Sequence, residues 1–500
     1  MHACCRGTEA ASVKQILKNV CKNVQCSFES SVQAKSCTTD PEAVRSGDVF
    51  FALPNKDTDL EESVGLAIHR KCCAVVADRP VAGAETVPFY IIPNVFDGYA
   101  AFCHAVFDSP ARSLKMVGIT GTSGKTTTSY LISGMLAENG CQVGLISSLG
   151  VFDGETFYTP NIRDWTPEHL AAELAKMTGN GCTHAVIEVS SKMLTEGMLS
   201  GIQFDAVCLT NIRRDHIDYH QSVEQYRRSK LGIFKYAKKK ALAVCNADDR
   251  ITEAVVPLIN HPLLTVGIRN AAEISASLIE RFPNEQTFFV NAGTEAVPLC
   301  TKIIGDEHIY NCLTAVALGI GFGLNLRTIA RGIERVESVP GRMERLTCGQ
   351  EFNVFLDSAR TADSLSAVLK TVRDITPGRL VCVFGAAAEH DSEKRPQFGK
   401  IMESAADTVI LTSADDALDT GTAAAICDIG RGFASGNGVQ VMPDRAEAIA
   451  AALSEAQEGD SVLIFGKGET EQLENIRGSV SFCDRHFTRQ WLYENQPCPV

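Results

Sequence analysis

Residues 117–128 read VGITGTSGKTTT, in which an apolar run meets regularly spaced glycines, then a lysine and three threonines. This order predicts a strand, a glycine-rich turn and a helix that begins within TTTSYLISGMLAENG. Such a turn aims several backbone N–H groups at one anion, and glycine lets that anion approach closely. We therefore predict a phosphate-binding loop for ATP. Lys125 would place a positive charge beside the outer phosphates, and the Thr126 hydroxyl would bind Mg²⁺. The predicted phosphate contacts are Gly121, Thr122, Ser123, Gly124, Lys125, Thr126 and Thr127.

The loop is a variant of the usual phosphate-binding pattern. That pattern has glycine five positions before Gly124, where this chain has Ile119. A second interpretation therefore remains open at this point: a tight strand–helix turn whose lysine faces solvent.

Length and composition restrict the class of protein. Five hundred residues exceed a single core and suggest about two to four domains. The net charge of −13 argues against a nucleic-acid surface. No apolar run approaches the roughly 20 residues that span a bilayer, and the N-terminus lacks the apolar core of a signal peptide. We therefore expect a cytoplasmic protein without membrane insertion, whose 19 cysteines are reduced and mostly buried.

Strand and helix patterns alternate in three regions, which predicts an α/β protein of three domains. Residues 1–112 predict a small α/β domain, with strands in 47–55 and 72–80. Residues 113–345 open with the phosphate loop and have the rhythm of a parallel sheet. Residues 346–500 predict a Rossmann-like α/β domain with strands within 353–358, 379–387, 407–413 and 461–468.

Several motifs together resemble the Mur ligases, ATP-dependent enzymes that extend the peptide of the cell-wall precursor. Beyond the loop, the matching stretches are IEVSS (187–191), LTNIRRDHIDYH (209–220), YRRSKLGIF (226–234), NADD (246–249), VPGRMERL (339–346) and GKG (466–468). They occur in the order and spacing of the family, over nearly the whole chain. Within the family, the chain is most similar to the branch that adds the third amino acid.

The resemblance implies a reaction in which a carboxylate attacks the γ-phosphate of ATP and an amine then displaces phosphate from the acyl phosphate. It implies that Lys125, Glu188, His216 and Lys230 are catalytic, with Lys230 carbamylated. The implied Mg²⁺ ligands are Thr126, Glu188 and His216. The implied contacts to the base and ribose of ATP are Asn311, Arg342 and Asp357.

The resemblance also implies two further substrates, a UDP-N-acetylmuramyl-peptide and an amino acid. The first domain would bind part of the UDP-linked peptide, and the protein would be a monomer. The corresponding substrate-binding positions are Asp40, Thr166, Pro167, Ser190, Arg360, Lys394, Arg395 and Glu469. Trp165, beside them, is equally compatible with a core position.

Departures from the family pattern concentrate at the substrate positions. Pro41 follows Asp40, Arg360 and Glu469 stand where the family has histidine, and Lys192 replaces the histidine after IEVSS. The acidic stretch SADDALD (413–419) replaces one that usually carries an arginine clamp for the incoming carboxylate.

Three functions are compatible with these observations. The first is an active ligase with an altered acceptor, which we favour because the residues implied for ATP and metal all remain. The second is a paralogue that binds nucleotide or precursor with little or no activity. The third is a phosphate-loop kinase or ATPase, which would require neither DHIDYH nor a lysine at position 230.

Overall fold

Three large sheets follow one another along the chain, with a small two-stranded sheet near its end, which confirms the predicted three-domain α/β class. The computed structural model describes residues 5–21, 23–27, 32–54, 59–160, 164–385, 395–414, 420–436, 438–467, 472–475 and 478–495. No helix among these residues is long and apolar enough to cross a membrane. The described cysteines from Cys21 to Cys483 are free thiols, and of them Cys427 alone is exposed.

The first sheet has a parallel centre with one antiparallel strand at each edge, in the order β1-β3-β4-β5-β6-β2. Its strands are β1 (Cys5–Ser12), β2 (Gln25–Cys26), β3 (Gln33–Thr38), β4 (Val49–Phe51), β5 (Ala74–Ala77) and β6 (Phe89–Ile91). Its helices are α1 (Val13–Val20), α2 (Leu60–His69) and α3 (Val95–Val106). Strands β4 and β5 lie within the segments predicted from the sequence.

The central sheet carries the phosphate loop. Its strands are β7 (Lys115–Thr120), β8 (Val143–Ser147), β9 (Gly150–Phe152), β10 (Phe157–Tyr158), β11 (His184–Glu188), β12 (Phe204–Leu209), β13 (Ala237–Asn246), β14 (Leu263–Gly267), β15 (Ile274–Arg281), β16 (Gln286–Ala292) and β17 (Glu295–Thr301). Its helices are α4 (Lys125–Glu138), α5 (Pro167–Gly179), α6 (Ser191–Glu196), α7 (Ile217–His220), α8 (Val223–Leu231), α9 (Arg250–Val255), α10 (Asp306–Gly321) and α11 (Leu326–Glu334). Apolar clusters on both faces of the sheet hold these helices in place.

The central sheet is parallel from β8 to β15, in the order β8-β11-β7-β12-β13-β14-β15. The parallel sheet predicted from the sequence is confirmed at the centre, and antiparallel strands extend both of its edges. At one edge, the two-residue turn Gly293-Thr294 joins β16 to β17, and a connection this short requires an antiparallel pair.

The third sheet has the order β18-β19-β23-β20-β21-β22, with β18 antiparallel to an otherwise parallel sheet. The strands of this region are β18 (Glu344–Leu346), β19 (Asn353–Asp357), β20 (Leu380–Phe384), β21 (Thr408–Leu411), β22 (Val439–Val441), β23 (Ser461–Phe465), β24 (Gln472–Asn475) and β25 (Gly478–Ser481). Its helices are α12 (Ala362–Ile375), α13 (Arg395–Ala405), α14 (Thr420–Gly430), α15 (Arg445–Glu455) and α16 (Asp484–Asn495). The four strands predicted for this region are confirmed as β19, β20, β21 and β23.

Helix α3 joins the first region to the central one through buried polar contacts. Tyr99 donates a hydrogen bond to Glu168 of α5, and Ser200 donates one to Asp97 over 2.9 Å. His104, on the same helix, is 1% exposed, and neither of its ring nitrogens has a hydrogen-bond partner among the described residues. Burial lowers the pKa of His104 to about 4.

Candidate functional site

The phosphate loop lies at the carboxyl end of β7, where the ends of neighbouring parallel strands meet. Gly121 and Gly124 both have positive φ, at 150° and 84°. A side chain at position 121 would overlap the Thr210 hydroxyl, and one at position 124 would overlap the Asn311 amide oxygen. Both positions therefore require glycine for backbone conformation and for space.

The amino end of α4 is open toward the loop. Gly124 occupies the cap position and has no side chain to accept the first helical N–H groups, and the first turn carries no acidic residue. Unpaired N–H groups at a helix start carry partial positive charge and attract anions. This end of α4 is therefore suited to hold a phosphate.

The segment after β12 supports the loop from behind. Asn211 accepts hydrogen bonds from the Thr122 N–H at its carbonyl and from the Ser123 N–H at its side chain, both over 3.0 Å. The Thr210 hydroxyl donates to the Ser123 carbonyl over 2.7 Å. These bonds fix the loop independently of any ligand.

Thr126 and Glu188 are in direct contact. The Thr126 hydroxyl donates to Glu188 Oε2 over 2.9 Å, and the same oxygen accepts the Ser148 N–H over 2.9 Å. Lys125 Nζ lies 3.8 Å from Glu188 Oε1 and donates to the Thr122 carbonyl over 3.0 Å. Since Glu188 ends β11 opposite Ile119 of β7, the sheet register brings this carboxylate to the loop.

Arg342 reaches the same cluster from the segment that leads into β18. Its Nη2 donates to the Thr126 hydroxyl over 3.3 Å. Burial opposes ionisation of Glu188, but Lys125, the Ser148 N–H and Arg342 together hold its pKa below the ordinary value. Burial lowers the pKa of Lys125, and the charges of Arg360 and Arg342 add to that effect against the attraction of Glu188. The site is thus anionic at Glu188 and positive around it.

Lys230 is the most deeply buried cation near the loop, with 2% of its surface exposed. Among the described residues its amine makes no hydrogen bond or ion pair, and its Nζ lies over the Tyr226 ring, 5.5 Å from the ring centroid. Burial, with the charge of Lys125, lowers the pKa of Lys230 well below its usual range. A depressed pKa enlarges the neutral fraction of an amine, and the neutral form is the nucleophilic one.

His216 is half-exposed and caps α7 with a positive φ of 51°. Its Nε2 lies 3.5 Å from Asp215 Oδ2. Burial and the charges of Arg360, Lys230 and Lys125 lower the pKa of His216, against the attraction of Asp215. A neutral imidazole is the form that binds metal ions.

Asn311 lies against the loop at Gly124, and Asp357 lies at the end of another strand near Arg342. Asn311, on α10, is buried and accepts a hydrogen bond from the Thr128 hydroxyl over 3.1 Å. Asp357, at the end of β19, accepts the Met343 and Ala359 N–H groups over 2.8 and 2.7 Å. Burial raises the pKa of Asp357. Both side chains are therefore already engaged, and their contacts to a nucleotide remain predictions.

The predicted substrate residues are less closely grouped. Thr166 and Ser190 cap α5 and α6, where their hydroxyls accept the His169 and Met193 N–H groups. Pro167 is the first residue of α5, and Trp165 packs against the apolar core of the central domain. These observations give Thr166, Ser190 and Trp165 structural roles, and substrate contact stays a prediction.

Of the remaining predicted substrate residues, the structure describes three and leaves two outside the described ranges. Asp40 accepts the Glu42 N–H over 2.8 Å in the first domain, and Arg395 is buried with Nη1 3.0 Å from Asp428 Oδ2. Arg360 is exposed, and its positive charge contributes to lowering the pKa of Lys125 and of His216. Lys394 and Glu469, like residues 415–419 of the acidic stretch, lie outside the described residues.

Sequence reasoning missed contributors whose roles depend on strand neighbours. Ser148, after β8, gives Glu188 a backbone N–H and brings its hydroxyl within 3.0 Å of the Thr126 hydroxyl. Its position beside the loop follows from the strand order, which no local motif encodes. Asn211 lay inside the quoted TNIRRDH stretch, but only the fold shows that it supports the loop.

Comparisons with known proteins agree with this geometry. A model of the Mur ligase middle domain matches residues 119–319, and one of the Mur ligase glutamate ligase domain matches residues 341–468. The UDP-N-acetylmuramoyl-L-alanyl-D-glutamate–2,6-diaminopimelate ligase of Geobacillus thermodenitrificans is 34% identical over 469 residues, which cover 91% of this chain and 94% of that protein. The UDP-N-acetylmuramyl-tripeptide synthetase of Roseiflexus sp. is 33% identical over 477 residues, covering 91% and 93%.

The fold has a counterpart among solved structures. A structure of a UDP-N-acetylmuramoyl-L-alanyl-D-glutamate–2,6-diaminopimelate ligase has a TM-score of 0.69 and covers 97% of this chain and 99% of its own. Its sequence identity is 24%, so it supports the fold alone.

Proposed function

The chain belongs to the Mur ligase family of ATP-dependent ligases, and we propose that it adds an amino acid to a UDP-N-acetylmuramyl-dipeptide. The observation that carries this proposal is the convergence of Lys125, Thr126, Glu188 and Arg342 at the open end of α4. The relatives named above act on this class of precursor. The reaction extends the precursor of peptidoglycan by one residue.

The described residues fit the first step, in which a peptide carboxylate attacks the γ-phosphate of ATP. The N–H groups at the start of α4 and the amine of Lys125 bind the phosphates, and Arg342 adds positive charge from the neighbouring segment. The product is an acyl phosphate and ADP. The incoming amine then attacks the acyl carbon, the C–O bond to phosphate breaks, and an amide forms.

Magnesium suits this cluster chemically. The Thr126 hydroxyl and the Glu188 carboxylate are ligands that would hold one ion, and the neutral imidazole of His216 would hold a second. No group of three or more His, Cys, Asp or Glu side chains among the described residues is arranged to hold a metal. When bound, the ions supply positive charge that offsets the charge of the phosphates.

Lys230 is proposed to carry CO₂ as a carbamate. The neutral amine attacks carbon dioxide, an N–C bond forms, and the nitrogen releases a proton to water. Burial of an amine without a hydrogen-bonding partner supports this proposal, because it favours the neutral form that reacts.

The three regions are proposed to divide the work, with residues 1–112 binding the UDP end, 113–345 binding ATP and 346–500 binding the incoming amino acid. We further propose that the protein acts in the cytoplasm as a monomer, which light scattering after size-exclusion chromatography would test. The altered residues Arg360 and Lys192 support an acceptor site that differs from that of the relatives.

The decisive experiment measures phosphate release from ATP with UDP-N-acetylmuramyl-dipeptide, with and without each amino acid, and reads the product by mass. 2,6-Diaminopimelate is the first acceptor to test. Release that requires one amino acid supports the ligase, and the mass gain identifies that acceptor. Release without any amine supports a kinase or ATPase. ATP binding without release supports a binding paralogue and contradicts the proposal.

A further inference from the structure

Tyr226 belongs to the helix that carries Lys230, and its side chain reaches the phosphate loop. Its side chain is 1% exposed and projects from α8, one turn before Lys230. Its hydroxyl lies 2.9 Å from the Thr122 hydroxyl, which belongs to the loop. One side chain therefore contacts both elements of the site.

The direction of this hydrogen bond follows from the other partners of Thr122. The Thr122 hydroxyl accepts the Arg213 N–H over 2.9 Å and has the Arg213 carbonyl, 3.3 Å away, as an acceptor for its own proton. Burial raises the pKa of Tyr226, so its hydroxyl remains protonated at neutral pH. Tyr226 thus donates to Thr122, which is then fully paired.

The ring of Tyr226 packs beside the Lys230 amine and two histidine rings. Its centroid lies 5.5 Å from Lys230 Nζ, 5.2 Å from the His220 ring and 6.4 Å from the His216 ring. Removing the ring would open space beside the Lys230 amine and admit water. Removing only the hydroxyl would leave the ring in place and release Thr122.

We propose that Tyr226 is a positioning residue that fixes the phosphate loop through its hydroxyl and encloses Lys230 through its ring. The role of the ring rests on the proposed function, because it assumes that Lys230 carries a carbamate. The role of the hydroxyl concerns nucleotide binding alone. The two halves of the side chain therefore have separable effects. The hydroxyl affects affinity for nucleotide, and the ring affects the state of Lys230.

The hydroxyl is tested with Tyr226→Phe, Thr122→Val and the double variant. Tyr226→Phe should raise the KM for ATP and the Kd for ADP about fivefold, the equivalent of one hydrogen bond of about 1 kcal/mol, with kcat within about twofold of wild type. The double variant should bind ADP no more weakly than Thr122→Val, because both changes remove the same bond. Unchanged ADP binding in Tyr226→Phe, or additive losses in the double variant, would overturn the proposal.

The ring is tested with Tyr226→Leu. We expect this variant to lose the carbamate signal of ¹³C-bicarbonate NMR and at least about tenfold in kcat, with partial recovery at raised bicarbonate. Tyr226→Phe should keep the carbamate signal. Tyr158→Phe, which removes a hydroxyl bonded to Glu173 and Lys176, is the control and should match wild type in every readout.

The outcomes separate this inference from the proposed function. If wild type shows neither amine-dependent phosphate release nor a carbamate signal, the proposed function fails, and the ADP measurements still decide the role of the hydroxyl. If wild type is active and Tyr226→Phe and Tyr226→Leu behave alike, the positioning role fails. If Tyr226→Leu does not fold, Tyr226→Met replaces it as the test of the ring, and Tyr226→Phe and Thr122→Val decide the role of the hydroxyl.

Discussion

Replacing Lys230 by methionine should make the protein more stable and inactive. Lys230 is 2% exposed and its amine has no hydrogen bond among the described residues, so desolvation of the amine destabilises the folded state. Methionine has a similar length and no charge. We expect Lys230→Met to raise the free energy of unfolding by about 1–3 kcal/mol at pH 7 and to lower turnover at least about a thousandfold.

The stability difference between Lys230→Met and wild type should depend on pH. The pKa of Lys230 is depressed on folding, so the unfolded chain binds more protons between the folded value and about 10.4. The wild type therefore gains stability as pH rises through that window, by about 1.4 kcal/mol per unit from this group. The advantage of Lys230→Met should shrink accordingly with rising pH.

The assay is urea denaturation in CO₂-depleted buffer from pH 7 to 9, with phosphate release measured in parallel. Lys238→Met is the matched control, since Lys238 Nζ lies 2.8 Å from Asp205 on the surface, and its loss should cost at most about 1 kcal/mol. Lower stability of Lys230→Met than of wild type, or an advantage that does not change with pH, would refute the reasoning. Retained turnover would refute the catalytic role of Lys230.

Three further changes test other parts of the site and fold. Lys125→Ala should lower turnover at least about a thousandfold because it removes the positive charge that neutralises the phosphates of ATP. Normal phosphate release in this variant would disprove that role. Arg342→Ala should raise the KM for ATP about tenfold with a smaller change in kcat, whereas an unchanged KM would show that Arg342 does not contact the nucleotide. His104 has its pKa lowered to about 4, so the unfolded state binds an extra proton below about 6.5 and the wild type should lose about 3 kcal/mol as pH falls from 6.5 to 4. In acid denaturation His104→Leu should lose that part of the slope, and a slope identical to wild type would contradict it.

Local sequence was enough for the elements that carry a chemical motif. The VGITGTSGKTTT stretch predicted the strand, turn and helix that the structure has, because glycine spacing and apolar runs act within a few residues. The Asn353–Asp357, Leu380–Phe384 and Ser461–Phe465 strands were predicted for the same reason. The antiparallel edges of the central sheet were not, since their strand pairing depends on turn geometry rather than on apolar pattern.

The sequence by itself determined the family, the three α/β regions and the position of the glycine-rich turn between β7 and α4. Only the tertiary structure decided which side chains surround that loop. Ser148, Glu188 and Asn211 come from three different strand ends, and they meet because parallel strands bring their carboxyl ends to one edge. The same applies to Lys230, whose burial depends on Tyr226 and on the elements packed around α8. Burial and proximity arise from the whole chain, so they set the charge state of a residue that its sequence neighbours cannot specify.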